Sequence, residues 1–309
     1  MNYKEHDNTD EIDLLEVFSV LLNHKFKILF ATSIFAIFSV VYSLSIDNKY
    51  TSSSTLQVIQ DDKTSNIGSL SRYSQLASIA GVSLPSSGED KSTLAIATIN
   101  SRTFLQHLLS FEDVLPNMMA AKSYDKEENK IIFDETIYDS SKRIWINDNK
   151  KQTPSYLDAY KVYMDMVDIS KDDKSNLVYI SVTHISPVFA DYFLNLIIDE
   201  VNKLIREKDL DESEESIKYF TDQLNQTNQA DIRISINQLL KSQLEIQMLS
   251  NVRAEYILRT LDPPFVPIEK SYPKRSIICI IITMLGFLIS ASYFLLNHYV
   301  IQWKNKSYK

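Results

Sequence analysis

The sequence predicts an α+β membrane protein: two transmembrane helices flanking one large domain, from which a long helix protrudes. Three observations predict it. Residues 28–46 form a run of 19 without a charge, rich in Ile, Phe, Val and Leu. Residues 277–296 form a second run of 20, which stays apolar through Val300. About 20 apolar residues suffice to cross a hydrocarbon core of about 30 Å. Finally, residues 188–262 are 75 positions with neither proline nor glycine. Fully helical, they would reach roughly 110 Å at about 1.5 Å per residue.

The remaining composition narrows the class. A chain of 309 residues, 44% hydrophobic, buries a sizeable core, which argues against intrinsic disorder. A net charge of −8 argues against a nucleic-acid binder, which carries a basic face. The single cysteine, Cys279, lies in the second apolar run, so an intrachain disulfide framework is impossible. The four glycines, Gly68, Gly81, Gly88 and Gly286, frame no phosphate-cradling loop, which excludes the common nucleotide sites.

Five segments follow: 1–27, the span 28–46, the central domain 47–276, the span 277–300 and a tail 301–309. The 27 residues before the first span are long and acidic. A cleaved leader has a short, positive start, so this span reads as a retained anchor. Within 1–27, residues 10–22 read as an amphipathic helix with Asp10 as N-cap and Ile12, Leu15, Phe18 and Leu22 on one face. Lys25 and Lys27 precede the first span, while Lys304, Lys306 and Lys309 follow the second. The positive-inside rule then puts both termini in the cytoplasm. Ala36, Ser39 and Ser43 share a face of the first span, and Gly286 and Ser290 a face of the second. Small residues there let membrane helices approach closely.

In the central domain, residues 50–59 (YTSSSTLQVI) read as a strand. Residues 60–92 read as a polar, serine-rich loop with a helical patch at 70–80. Residues 94–109 show broken helical spacing, 131–133 a short strand, 155–166 a helix, and 177–183 (LVYISVT) the clearest strand. Pro187 stands where a helix can start. The 188–262 region is expected to break near 207–215, where six acidic residues crowd. Its later stripe includes Ile217, Phe220, Leu224, Ile232, Ile236, Leu239, Leu244 and Met248, with a polar stretch at 225–235. A helix this sparsely apolar must pack on something else. The expectation is that its C-terminal half lies on the base and its remote part meets neighbouring subunits.

Catalytic patterns are missing. His6, His24, His107, His184 and His298 are scattered without ligand spacing, and no GxSxG elbow occurs. The acidic pairs Asp61/Asp62, Glu127/Glu128 and Asp172/Asp173 sit in polar loops, where such residues are solvated surface. No cofactor and no metal are expected, and no enzyme activity.

The long helical region is expected to end at Asp262, followed by Pro263-Pro264-Phe265-Val266-Pro267 and, later, Pro273-Lys274-Arg275. Proline is unable to continue a helix and holds the chain extended. This is a stiff strap between a soluble helix and a membrane helix, with Lys274 and Arg275 placed to meet lipid head groups.

These ends resemble the Wzz family of O-antigen chain-length determinants, the class 1 polysaccharide co-polymerases. The resemblance lies in Glu11-Ile12-Asp13-Leu14-Leu15-Glu16 before the first span and in Pro263, Pro267 and Pro273-Lys274-Arg275 before the second. Pro264 replaces the family's usual alanine, and Lys270 stands where a third spaced proline is common. Residues 247–264 (QMLSNVRAEYILRTLDPP), Ser101-Arg102-Thr103-Phe104-Leu105 and residues 184–190 (HISPVFA) are also similar.

The resemblance implies an α/β base domain in the periplasm, a long projecting helix and a homo-oligomer. It implies work with a Wzy-type polymerase on a lipid-linked polysaccharide in the bacterial inner membrane. A regulator of common antigen, capsule or exopolysaccharide length is the alternative, and a two-span periplasmic sensor is the alternative from a different class. The residues after Val300 hold no kinase domain, which disfavours kinase-fused relatives.

Overall fold

The computed structural model describes residues 14–59, 91–146 and 154–307. The expected N-cap Asp10, the patch at 70–80 and the pair Asp61/Asp62 lie outside them. The chain divides into two units, residues 1–48 with 271–309, and residues 49–270.

The first unit is helical. Helix α1 (Leu14–Asn23) ends at His24, whose non-helical backbone separates it from α2 (Lys25–Ser45). The third helix of this unit, Arg275–Ser307 and called α9 below, is apolar enough to cross a membrane over Arg275–Ile301, as α2 is over its whole length. The apolar faces of both are largely exposed, as with Phe30, Ile37, Ile280 and Leu288. Apart from Ile28, what these two helices bury is small: Ser39, Ser43, Gly286, Ser290 and Ala291.

The second unit is built on a four-stranded antiparallel sheet in the order β6 (Val167–Asp172), β7 (Leu177–His184), β1 (Tyr50–Val58) and β8 (Leu258–Asp262). Strand β1 (Tyr50–Val58) alternates buried and open positions, so Tyr50, Ser52, Ser54, Leu56 and Val58 face inward. Helices α3 (Lys91–Ile99) and α4 (Arg102–Leu108) follow, divided where Ser101 caps α4 by accepting the Phe104 amide at 3.1 Å. That cap is why the helical spacing across 94–109 reads as broken. Helix α5 (Val114–Met119) leads to two hairpins, β2 (Ala121–Asp125) with β3 (Lys130–Phe133), and β4 (Tyr138–Asp139) with β5 (Ile144–Trp145). Helix α6 (Tyr156–Met166) starts at its N-cap Ser155 and is tied down by the Tyr163 hydroxyl, which donates to the Ile99 carbonyl at 2.9 Å. Strands β6 (Val167–Asp172) and β7 (Leu177–His184) form a hairpin whose turn places Asn176 at φ 56°, a conformation asparagine tolerates.

Helix α7 (Pro187–Gln226) is the longest element, at 40 residues. Ser186 caps it by accepting the Phe189 amide, and Pro187 occupies the first turn, where its missing N–H costs nothing. Phe189, Phe193, Ile197, Val201 and Ile205 recur every four residues. They pack into one core with Leu56 and Val58 of β1 and Val178, Ile180 and Val182 of β7.

Three expectations are corrected here. The crowd of acidic residues at 207–215 does not break the helix, because these side chains stand on solvated faces or find partners. Lys208 Nζ lies 3.7 Å from Glu212, and the Tyr256 hydroxyl donates to Asp209 at 2.7 Å. The break falls at residues 227–229 instead, inside the polar stretch. There Thr227 and Gln229 take extended backbone, and Arg233 donates to the Leu224 and Thr227 carbonyls at the end of α7. Secondly, helix α8 (Ala230–Val252) stops ten residues before Asp262, and 258–262 is a strand, β8 (Leu258–Asp262). Thirdly, it is the N-terminal half of the helical region that packs on the base. The later half folds back on α7 around a small satellite core of Phe220, Ile236 and Leu239.

Candidate functional site: the proline strap and its anchorage

Strand β8 and the strap after it form one ribbon pinned at both ends. At the start stands Asn202 of α7, which is buried. Its Oδ1 accepts the amides of Tyr256, Ile257 and Leu258 at 3.1, 2.9 and 3.0 Å. Its Nδ2 donates to the Leu258 carbonyl at 3.0 Å and to the Ile198 carbonyl at 3.1 Å. Three N–H groups on one atom and two carbonyls on the other fix the orientation of the amide. A single side chain thus satisfies the turn through which the chain leaves α8 and enters the sheet. Sequence reading missed it: one asparagine inside a long helical pattern carries no local signal, and all its partners but Ile198 lie over 50 residues away.

Beyond that turn, β8 pairs with β1 from Val58↔Leu258 to Thr55↔Asp262, with an irregularity between Thr55 and Leu56. Pro263, Pro264 and Pro267 then follow, and residues 263–267 belong to neither helix nor strand. The strap nevertheless continues the antiparallel course along β1. Ser54 Oγ donates to the Asp262 carbonyl at 2.7 Å, and Ser52 Oγ donates to the Phe265 carbonyl at 2.8 Å. Prolines supply no N–H to a ladder, but their neighbours' carbonyls remain acceptors, and hydroxyls from β1 reach them. Both serines are buried. Pro267 is buried, Pro264 half-buried and Pro263 exposed.

In the helical unit, Pro273 is buried and Lys274 exposed. Arg275, at the first turn of α9, donates from Nη2 to Asn48 Oδ1 at 3.2 Å. Ser39, Ser43, Gly286 and Ser290 are buried, and Ala36 is half-buried. A Cβ placed on Gly286 would lie 2.5 Å from Phe35 Cβ, so α2 and α9 approach as closely as they do because this residue has no side chain. Ser39 and Ser290 return their hydroxyls to the carbonyls of Ala36 and Gly286.

The polar groups of the base are structural in their contacts. His184, at the end of β7, donates from Nε2 to the Asn117 carbonyl at 2.9 Å and accepts the Ser186 amide on Nδ1 at 3.1 Å. Burial pushes its pKa down to about 4, against weaker opposing effects of these two hydrogen bonds, so the ring is neutral at ordinary pH. It therefore joins α5 to the cap of α7. His107 of α4 lies 2.6 Å from the carboxylate of Glu200 on α7, with Lys203 Nζ at 3.7 Å.

Of the acidic pairs, Asp172 holds the β6–β7 turn. The Ser175 hydroxyl and the Lys174 amide donate to its carboxylate, which keeps its pKa below the usual range. Glu127 and Glu128 contribute backbone amides to Asp125 rather than an acid–base pair. Among the described residues, no three His, Cys, Asp or Glu side chains group as a metal site would need.

Residues 10–112 match the family model described as Wzz, chain length determinant protein. Over those residues the chain is similar to the chain-length-determinant family. That region takes in α1, α2, β1, α3 and α4, and so includes the first apolar helix and both latching serines. The strap and α7 lie beyond the matched residues. No curated protein matches the sequence. Among solved structures, a full-length bacterial polysaccharide co-polymerase aligns at TM-score 0.44 and 13% identity, covering 94% of this chain and 99% of the other. A fragment of WzzB, a polysaccharide co-polymerase from Salmonella Typhimurium, aligns at 0.30 and 12%, covering 73% and 100%.

Proposed function

We propose that this protein is a non-catalytic regulator of polysaccharide chain length, acting as a homo-oligomer beside a Wzy-type polymerase during O-antigen synthesis. The observation that carries the reading is the Wzz match over residues 10–112, spanning a membrane-length helix and the central strand it leads into. In this reading α2 and α9 cross the inner membrane, both termini are cytoplasmic, and residues 47–276 lie in the periplasm. Exposed apolar side chains on the helical hairpin, among them Ile234, Met248 and Val252, are what contact between copies would cover.

The test is a silver-stained lipopolysaccharide gel from a deletion strain, with and without the gene restored. Loss of a modal cluster that complementation brings back is the expected result. An unaltered ladder with altered capsule, common antigen or exopolysaccharide sizing would reassign the polymer. No change in any of them would refute the proposal.

A further inference from the structure

We infer that Ser52 and Ser54 are positioning residues for length control. Their hydroxyls latch the end of β8 and the strap to β1, and carry past Asp262 the register that the β1–β8 ladder sets between the two chain segments that lead to the apolar helices. The inference rests on the function proposed above and goes beyond it by naming the residues through which the strap is held.

Strand β1 gives its inward positions to Tyr50, Ser52, Ser54, Leu56 and Val58. Leu56 and Val58 join the main core. A serine in such a position forgoes apolar burial, and its hydroxyl must find an acceptor once water is excluded. Ser54 finds its acceptor on Asp262, the last residue of β8, at 2.7 Å, and Ser52 on Phe265 of the strap at 2.8 Å. The strap for its part offers no amide at 263, 264 and 267, so a backbone ladder is unable to hold it there. The two features complement each other: as the ladder runs out at Asp262, hydroxyls of β1 meet the carbonyls of Asp262 and Phe265.

Connectivity gives the latch its consequence. Helix α2 ends at Ser45 and β1 begins at Tyr50, while the strap runs into α9 at Arg275. The register of β1 against the strap therefore fixes how much chain separates the sheet from each apolar helix. A slip of two residues would move one segment by roughly 7 Å along the other. The β1–β8 ladder and Asn202 oppose such a slip as far as Asp262, and the two hydroxyls carry that hold onto the strap, whose three prolines add no ladder of their own.

The experiment uses the full-length chain. Hydrogen exchange over residues 260–268 is followed by mass spectrometry on detergent-purified protein. The same variants are expressed in the deletion strain at matched protein level, and the length distribution of the surface polymer is compared. Loss of two ordinary hydrogen bonds in Ser52→Ala/Ser54→Ala should speed exchange of the strap by roughly 5- to 30-fold. The modal length should shift with it, and Ser54→Thr, which keeps a hydroxyl, should hold closer to wild type than Ser54→Ala on both readouts. Alanine leaves strand alternation and volume nearly intact, so the sheet should persist. Unchanged exchange in the double variant would overturn the latch. Faster exchange with a wild-type length profile would overturn its role in length control while leaving the proposed function standing. A deletion strain with every surface polymer unaltered would overturn both.

Discussion

Removing the Asn202 side chain tests whether one buried amide holds β8 to the long helix. In Asn202→Ala, the amides of Ile257 and Leu258 lose their shared acceptor in a buried setting, the half-buried Tyr256 amide loses it too, and the Leu258 carbonyl loses a donor. A buried donor left without a partner costs about 1–3 kcal/mol, so two to three such groups predict a loss of roughly 3–6 kcal/mol. One kcal/mol moves the melting temperature of a domain of this size by about 2–4 °C, which places the expected drop near roughly 10–20 °C. The assay is thermal unfolding of the detergent-purified full chain, read from the tertiary circular-dichroism signal of its aromatic residues. A melting temperature within about 3 °C of wild type would refute the reasoning, since it would mean that water or backbone rearrangement satisfies all three amides at little cost.

Other predictions follow from the same geometry. His184 has its folded pKa pushed down to about 4 by burial, below the ordinary histidine value, so the unfolded chain binds the extra proton first as pH falls. Its contribution, about 3 kcal/mol for a shift of this size, is present above about pH 6.5 and is lost as pH drops towards 4. His184→Gln should flatten the pH dependence of the denaturation midpoint between pH 5 and 6.5, and an unchanged slope would count against it. Gly286→Val forces a Cβ into Phe35 and should cost about 1–3 kcal/mol of helix-pair stability. Combining it with Phe35→Ala should recover part of that loss, and strictly additive melting shifts would contradict the close approach. Pro267→Ala and Pro273→Ala should shift the polymer length distribution more than protein level, and normal banding at normal abundance would argue against a mechanical strap.

Most of the element plan was legible because it depends on local pattern. The two apolar runs, strands β1 and β7, helix α6 and the proline at the start of α7 all announce themselves within about 20 residues. The misplacements share one cause. The acidic crowd at 207–215 looks like a helix break only when its surroundings are unknown, since charges spread around a helix are harmless once they face water. Nothing before the prolines forbids helix, so local pattern alone runs the long helical region on to Asp262. Yet the Asn202 side chain, more than 50 residues away, gathers the amides of residues 256–258, and pairing with β1 then makes 258–262 a strand.

The sequence by itself determined the membrane-length helices, the length and sparseness of the helical region, the strap's inability to be a helix, and the resemblance carried by its ends. These follow from composition and from the backbone chemistry of proline, which hold wherever the chain goes. The tertiary structure decided which half of α7 enters the core, where the helical hairpin turns, and that Ser52, Ser54 and Asn202 hold the ribbon between them. The last of these depends on hydrogen bonds between positions 54 to 213 residues apart, and a donor in a strand carries no mark of the carbonyl it will meet.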